Sequence, residues 1–255
     1  MHRFLTRLLL CACFFAQPCV AAPLVAAASD LKFAMDELID AFADATGLTI
    51  RVAFGSSGNF ARQIEQGAPF ELFFSADEAF VARLVRAGLT RDEGALYAIG
   101  RIVVFAPHGS PLEPDPELRN LGKLLERGAV TRFAIANPEH APYGRAAEQA
   151  LRTVGLWERM QPKLVLGENV SQAAQFATVG DVTGGIFAYS LALAPDVNAK
   201  GRFELLPERL HQPLRQRMVL LKNAGAASER FYAFVQSPAA REILKKYGFA
   251  MPDAG

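Results

Sequence analysis

The chain reads as an α/β protein of two units, each a mostly parallel sheet flanked by helices. From Leu24 onward, short β-rich runs alternate with stretches whose apolar residues recur at helical spacing. Strands that alternate with helices need crossover connections, which are right-handed and place helices on both faces of a sheet. A proline-rich stretch from Pro107 to Pro116 separates two such sets and suits a boundary. With 255 residues at 51% hydrophobic content, the chain can bury cores of that size, which argues against disorder.

The first set begins with a buried strand, Leu24-Val25-Ala26-Ala27-Ala28. Leu31, Phe33-Ala34-Met35, Leu38-Ile39 and Phe42 then mark a helix that Gly47 ends. A strand around Leu48–Phe54, a helix from Asn59 to Gln66, a strand at Glu71–Phe74 and a helix from Glu78 to Ala87, closed by Gly88, complete a βαβαβα run. Arg101–Ala106 is a further strand. The second set has strands at Arg132–Ile135, Lys163–Leu166 and Gly184–Ala188, with helices from Arg145 to Val154 and from Ser171 to Thr178. Apolar runs at Phe203–Leu206 and Met218–Leu221 precede terminal helices around Ser228–Gln236 and Pro238–Tyr247.

The amino terminus reads as a cleavable export signal, residues 1–21. His2, Arg3 and Arg7 precede nine apolar residues, Leu8 to Ala16, and the small residues Cys19-Val20-Ala21-Ala22 follow. Nine apolar residues fall far short of the roughly 20 that span a bilayer. Cys11, Cys13 and Cys19 all lie in this segment, so the exported chain carries no thiol for a disulfide, a thiolate metal site or a nucleophile. Cys19 follows Ala16-Gln17-Pro18 rather than small apolar residues, which argues against a lipid anchor. The 27 Lys+Arg against 26 Asp+Glu show no basic run, so the electrostatic footprint of a nucleic-acid binder is missing.

Chemistry is expected where strands hand over to helices. Those loops are Ala28-Ser29-Asp30, Gly55-Ser56-Ser57-Gly58-Asn59, Pro142-Tyr143-Gly144 and Glu168-Asn169-Val170-Ser171. In an open α/β sheet they lie at the carboxyl ends of the strands, where ligands bind. A helix amino terminus offers unpaired N–H groups and about half a positive charge, worth ~0.3 to 2 kcal/mol toward an anion. Four of them can hold an oxyanion without a lysine or arginine. The plain alternative is that Ser29, Ser57 and Asn59 are ordinary N-caps.

Order and spacing of several segments carry a resemblance. They are Ala26-Ala27-Ala28-Ser29, Phe54-Gly55-Ser56-Ser57, Ala61 to Pro69 and Leu72-Phe73-Phe74-Ser75-Ala76-Asp77. Further on come Ala136 to Gly144, Gly185-Ile186-Phe187 and Lys246-Tyr247-Gly248-Phe249. The chain resembles the periplasmic molybdate-binding proteins, solute receptors of molybdate ABC importers, over essentially its whole length after the signal.

That resemblance implies a two-domain periplasmic-binding-protein-like fold with a hinge of two crossing strands. It divides the chain into domain I, 22–105 with 200–255, and domain II, 106–199. Ser29 and Ser57 map to serine ligands, with Ser56 a neighbouring candidate, and Tyr143 and Val170 map to backbone N–H donors. A tyrosine hydroxyl used by some members maps to Ala188, one residue before Tyr189, which leaves Tyr189 or Tyr143 to supply it. The resemblance further implies molybdate or tungstate as transported ligand, no cofactor, and no metal other than the one inside the oxyanion. It implies a monomer in the periplasm, a membrane permease and its ATPase as partners, and no nucleic acid.

A pocket of donors alone favours a fully deprotonated anion over phosphate species that still carry a proton. Asp30 complicates this. Its carboxylate can accept a proton or repel a dianion, unless it points away in the first helical turn and favours the macrodipole. A receptor for sulfate or phosphate is one rival reading, and a hydrolase pairing Ser57 with His140 is another. His108, His140 and His211 have no metal-triad spacing, and no Gly-x-Ser-x-Gly elbow surrounds Ser56 and Ser57. Arg62 and Glu65 are expected to pair on a helix face, and Asp77 to cap the next helix.

Overall fold

Two five-stranded sheets share one strand order. A computed structural model describes residues 22–179 and 181–252; the expected signal and its three cysteines lie outside them. The strands are β1 (Leu24–Ala28), β2 (Arg51–Gly55), β3 (Leu72–Ser75), β4 (Ala95–Gly100), β5 (Ile102–Pro107), β6 (Phe133–Ala136), β7 (Leu164–Gly167), β8 (Gly184–Ala188), β9 (Gly201–Leu205) and β10 (Leu214–Leu220). The helices are α1 (Lys32–Thr46), α2 (Ser57–Glu65), α3 (Glu78–Arg86), α4 (Arg119–Glu126), α5 (Pro142–Thr153), α6 (Trp157–Met160), α7 (Val170–Ala177), α8 (Tyr189–Ala192), α9 (Pro195–Asn198), α10 (Ala226–Val235) and α11 (Pro238–Lys246).

The first sheet runs β2-β1-β3-β10-β4 and the second β7-β6-β8-β5-β9. In the first, β1 pairs in parallel with β2 and β3, while β10 is antiparallel to β3 and β4. In the second, β6 is parallel to β7 and β8, while β5 is antiparallel to β8 and β9. Four strands of each sheet therefore point one way and the fourth in order runs against them. The reversed strand is in each case the one that has just arrived from the other lobe.

Alternation along the strands divides the first lobe into two cores. Val25, Ala27, Leu72, Phe74, Met218 and Leu220 face Met35, Leu38 and Phe42 of α1 and Phe231 of α10. Ala26, Phe73, Val219 and Leu221 face Phe60 and Ile64 of α2 and Val81 and Leu84 of α3. The period of two in the pleat produces this split, and it commits the carboxyl-terminal helices to the first lobe.

The lobes cross one strand earlier than the sequence suggests at the first passage, and after a further strand at the second. Only Arg101 separates β4 in the first sheet from β5 in the second, and β9 stays in the second sheet before residues 206–213 lead back to β10. The hinges expected near Ala106 and Lys200 thus fall inside or beside strands of the second sheet. In sequence β4 and β5 form one run, so β4 goes unseen; what divides them is a change of sheet, which composition does not encode. Helix α4 was also unforeseen, because it buries only Leu121 and carries Gly122 at its centre.

Arg101 anchors the first crossing. Its Nε and Nη2 donate to Gly248 O at 3.2 and 2.9 Å, and its guanidinium lies 4.8 Å from the centre of the Tyr189 ring. Tyr189 N–H donates back to Arg101 O. No helix among the described residues is long and apolar enough to cross a membrane.

Candidate functional site

The four strand-to-helix loops converge on one small cavity between the lobes. The first lobe contributes Ser29, Asp30, Ser56 and Ser57, and the second contributes Ala141, Pro142, Tyr143 and Val170, with Ala28, Gly55 and Ala76 completing the lining. Asp30 is the one residue in that set with an acidic side chain, and neither lysine nor arginine is among them. Five of the six serine, tyrosine and valine positions implied as ligands, Ser29, Ser56, Ser57, Tyr143 and Val170, are buried here, and Tyr189 is not among the lining.

The serines are not spent as caps. Ser29 opens a 3-10 turn, Ser29–Leu31, whose N-cap is Ala28, and Ser57 is the first residue of α2, whose N-cap Ser56 makes no side-chain capping bond. Ser57 Oγ accepts the Ala76 N–H at 3.0 Å. Its own proton has no acceptor among the described residues, so it remains to be donated. Ser29 Oγ donates to Asn169 Oδ1 at 3.1 Å and accepts the Ser171 N–H at 3.2 Å. Asn169 and Ser171 belong to the other lobe, so Ser29 both faces the cavity and ties the lobes.

The main-chain donors come from α5 and α7. Tyr143 is the second residue of α5, and Val170 is the first of α7, which Asn169 caps by accepting from Gln172 N–H at 3.1 Å. Neither Tyr143 N–H nor Val170 N–H meets a protein acceptor among the described residues. Gly144 lets α5 start hard against β6, because a Cβ there would stand 2.2 Å from Ala136 O. Two free N–H groups at two helix amino termini, beside a free serine proton, make a ring of neutral donors.

Tyr189 is not part of this ring. Strand β8 ends at Ala188, and the Tyr189 side chain turns to the hinge, where it packs against Arg101 and Phe203. The Tyr143 hydroxyl is not a free donor either. It donates to Asp30 Oδ2 at 2.9 Å and accepts from Gln216 Nε2 at 3.0 Å. Tyr143 therefore brings its main-chain N–H and the wall of its ring to the cavity.

Asp30 lies in the first helical turn as expected but does not point away. It is 1% exposed, lines the cavity and is held by the Tyr143 hydroxyl and by Gln216 Nε2, the latter at 2.6 Å. Tyr97 OH donates to Gln216 Oε1 at 2.6 Å and completes the network. A register shift in β10 between Gln216 and Arg217 accompanies the inward-facing glutamine. Burial pushes the Asp30 carboxyl up to about 6, against the lowering effect of its bonds from Gln216 and Tyr143. Burial, with the charge of Asp30 beside them, drives the Tyr143 and Tyr97 hydroxyls well above their ordinary value.

On the far side of Ser56 the lobes meet again. Ser56 Oγ lies 3.0 Å from His140 Nδ1, and His140 O accepts the Gly58 N–H at 3.0 Å. The Ser57–His140 pair of the hydrolase reading is not formed. Glu65 pairs with Arg83 rather than Arg62, whereas Asp77 does cap α3 through Ala79 N–H. No group of three His, Cys, Asp or Glu residues that could hold a metal ion occurs among the described residues.

The residues that sequence reading missed are Asn169, Ser171, Gln216 and Tyr97. Asn169 and Ser171 stood in a recognised loop. Gln216 carried a fainter signal, a polar side chain two residues ahead of an apolar strand run.

A family model for bacterial extracellular solute-binding proteins matches residues 23–250. The chain belongs to that family. This solute-binding protein is 35% identical over 243 residues to the molybdate-binding protein ModA of Rhodobacter capsulatus, across 92% of this chain and 90% of that one. It is 32% identical over 233 residues to the molybdate-binding protein ModA of Escherichia coli, across 89% and 88% of the two chains. The periplasmic molybdate-binding protein of Azotobacter vinelandii superposes with a TM-score of 0.81 at 30% identity, across 91% of this chain and all of that one.

Proposed function

We propose that this solute-binding protein captures molybdate, and tungstate with it, and delivers the anion to the permease of an ABC importer. The observation that carries this reading is the ring of neutral donors drawn from both lobes: the free Ser57 hydroxyl proton from one, the Tyr143 and Val170 N–H groups from the other, with Ser29 lining the cavity beside them while its own proton goes to Asn169. Relatives named for molybdate binding support the choice of guest. The ring donors favour a fully deprotonated dianion, Asp30 being the one acidic group in the lining, and closure of the lobes replaces the anion's water shell with fixed dipoles. The protein works by binding and release, with no bond made or broken, as a monomer exported to the periplasm by residues 1–21.

Thermal unfolding with a panel of anions tests the proposal. Molybdate or tungstate at 100 times its dissociation constant stabilises by about 2.7 kcal/mol, which raises the midpoint by roughly 5 to 11 °C for a chain of this size. Sulfate and phosphate at the same concentration give no comparable shift. An equal rise with sulfate replaces molybdate by the rival oxyanion.

A further inference from the structure

Asp30 is the one acidic side chain in a cavity proposed to hold a dianion, and it is only half satisfied. Tyr143 and Gln216 both direct their hydrogen bonds to Oδ2. Oδ1 is buried and no donor reaches it in good hydrogen-bond geometry, although the main-chain N–H groups of Asp30 and Leu31 lie close enough to favour the charged carboxyl slightly. An unpaired buried carboxylate oxygen is costly, and a doubly charged guest beside it is costlier still. A protonated carboxyl removes both costs, because Oδ1–H becomes a donor.

We infer that the Asp30 carboxyl carries a proton in the anion-bound receptor and donates it from Oδ1 to an oxygen of the guest, so that each dianion is captured together with one proton. The proton comes from the solvent, is held between Asp30 and a guest oxygen, and returns to solvent on release. The contact is a hydrogen bond to an oxygen and involves no coordination of the metal. This inference rests on the molybdate reading and adds to it a reason for an acidic residue in an anion site.

The surroundings leave Asp30 as the group that takes the proton. Tyr143 on α5 and Tyr97 on β4 hold their protons far above neutral pH. Gln216 on β10 does not titrate. Ser190, the second residue of α8, donates to Asp30 O at 2.8 Å, and Ser171 on α7 donates to Ser29 O at 2.9 Å. Lys32 at the start of α1 is exposed and lies over the Phe33 ring. His140 faces the cavity's other flank through Ser56. In the free protein the carboxyl, pushed up to about 6, is largely ionised at pH 7.5, so binding there must draw a proton in.

The sign follows from linkage. A guest that raises the Asp30 value above that of the free protein binds best below the free value and weakens as pH rises toward the value in the complex.

Titration calorimetry of the unaltered protein with molybdate, in buffers of different ionisation enthalpy, counts the protons directly. Close to one proton is taken up at pH 7.5, and the dissociation constant rises up to tenfold per pH unit between 6.5 and 8. In Asp30→Asn the amide oxygen keeps the bonds from Tyr143 and Gln216 and the NH2 takes the donor role, so uptake vanishes and affinity no longer depends on pH. In His140→Gln uptake persists. Tight molybdate binding with no uptake between pH 6.5 and 8, or uptake lost in His140→Gln and kept in Asp30→Asn, overturns the inference and leaves the molybdate reading standing. Absence of molybdate binding, or equally tight binding of phosphate, overturns the molybdate reading itself.

Discussion

Ser56 Oγ in the first lobe sits 3.0 Å from His140 Nδ1 in the second, and the pair closes one flank of the cavity. His140 is only 7% exposed, so this bond forms largely out of water. Its Nε2 lies 3.5 Å from Glu168, whose carboxylate also faces Asn59 of the first lobe at 3.5 Å. Such a cluster can exist only when the lobes are together. His140→Ala removes one hydrogen bond worth about 0.5 to 1.5 kcal/mol, so molybdate affinity falls roughly 2- to 12-fold. The loss appears mainly as faster release, measured by stopped-flow dissociation. An unchanged release rate shows that the flank is a passive contact.

Ser57 and Ser29 predict unequal losses. Ser57 offers a free proton while its oxygen is fixed by Ala76 N–H, so it is preorganised for a guest in either state of the cleft. Ser57→Ala deletes one charge-assisted bond of about 1.5 to 3 kcal/mol, a loss of roughly 10- to 150-fold in affinity. Ser29→Ala deletes no free donor but removes the ties to Asn169 and Ser171 that join the lobes. Scattering in solution then reports a more open unliganded protein for Ser29→Ala and no change for Ser57→Ala. The same compactness in both variants removes the second role given to Ser29.

Gly100, at the last position of β4, tests the buried network without touching the guest. A Cβ at this position stands 2.3 Å from the Tyr143 hydroxyl and 2.7 Å from Gln216 Nε2. Gly100→Ala must push both partners away from Asp30, and such overpacking costs about 1 to 3 kcal/mol. The expected outcome is a lower unfolding midpoint together with weaker molybdate binding, because Tyr143 carries the α5 N–H with it. A destabilised variant that binds normally separates the network from the site.

What the sequence disclosed and what it concealed divide along a physical line. The alternation of β1, α1, β2, α2 and β3 is written in local periodicity, and the four loops that meet at the cavity are the ones the α/β pattern points to. The division of β4 from β5 at Arg101 is not local, since it depends on which sheet each half joins. Ser29, Ser57, Tyr143 and Val170 were legible as loop residues with a resemblance behind them. The orientation of Asp30 was not, because its partners Tyr143 and Gln216 lie 113 and 186 residues away in the chain. Tyr189 stayed open as an alternative to Tyr143 because it adjoins the matching position, and the end of β8 sends its ring to the hinge.

The unliganded protein should become less stable as pH rises from 4 to 7, to the extent that Asp30 governs it. Its carboxyl titrates at about 6 when folded against 3.8 as the ordinary value, so the folded state binds the proton more tightly than the unfolded one. Stability from this group is complete below 3.8 and is lost as pH passes through about 6. A shift of about two units corresponds to about 3 kcal/mol, or roughly 6 to 12 °C in the midpoint. Glu37, Glu65 and Glu78, which arginine and lysine partners hold below the ordinary glutamate value, act in the opposite direction and lose their contribution as pH falls. The contribution of Asp30 therefore emerges only as a difference from Asp30→Asn, whose amide matches the protonated acid in shape and stays neutral throughout. The variant should unfold at the higher temperature at pH 7.5, with the gap closing by pH 4. A gap that does not narrow toward acid shows that the buried carboxylate is already stabilised when charged, which would also remove the reason for a proton to accompany the anion.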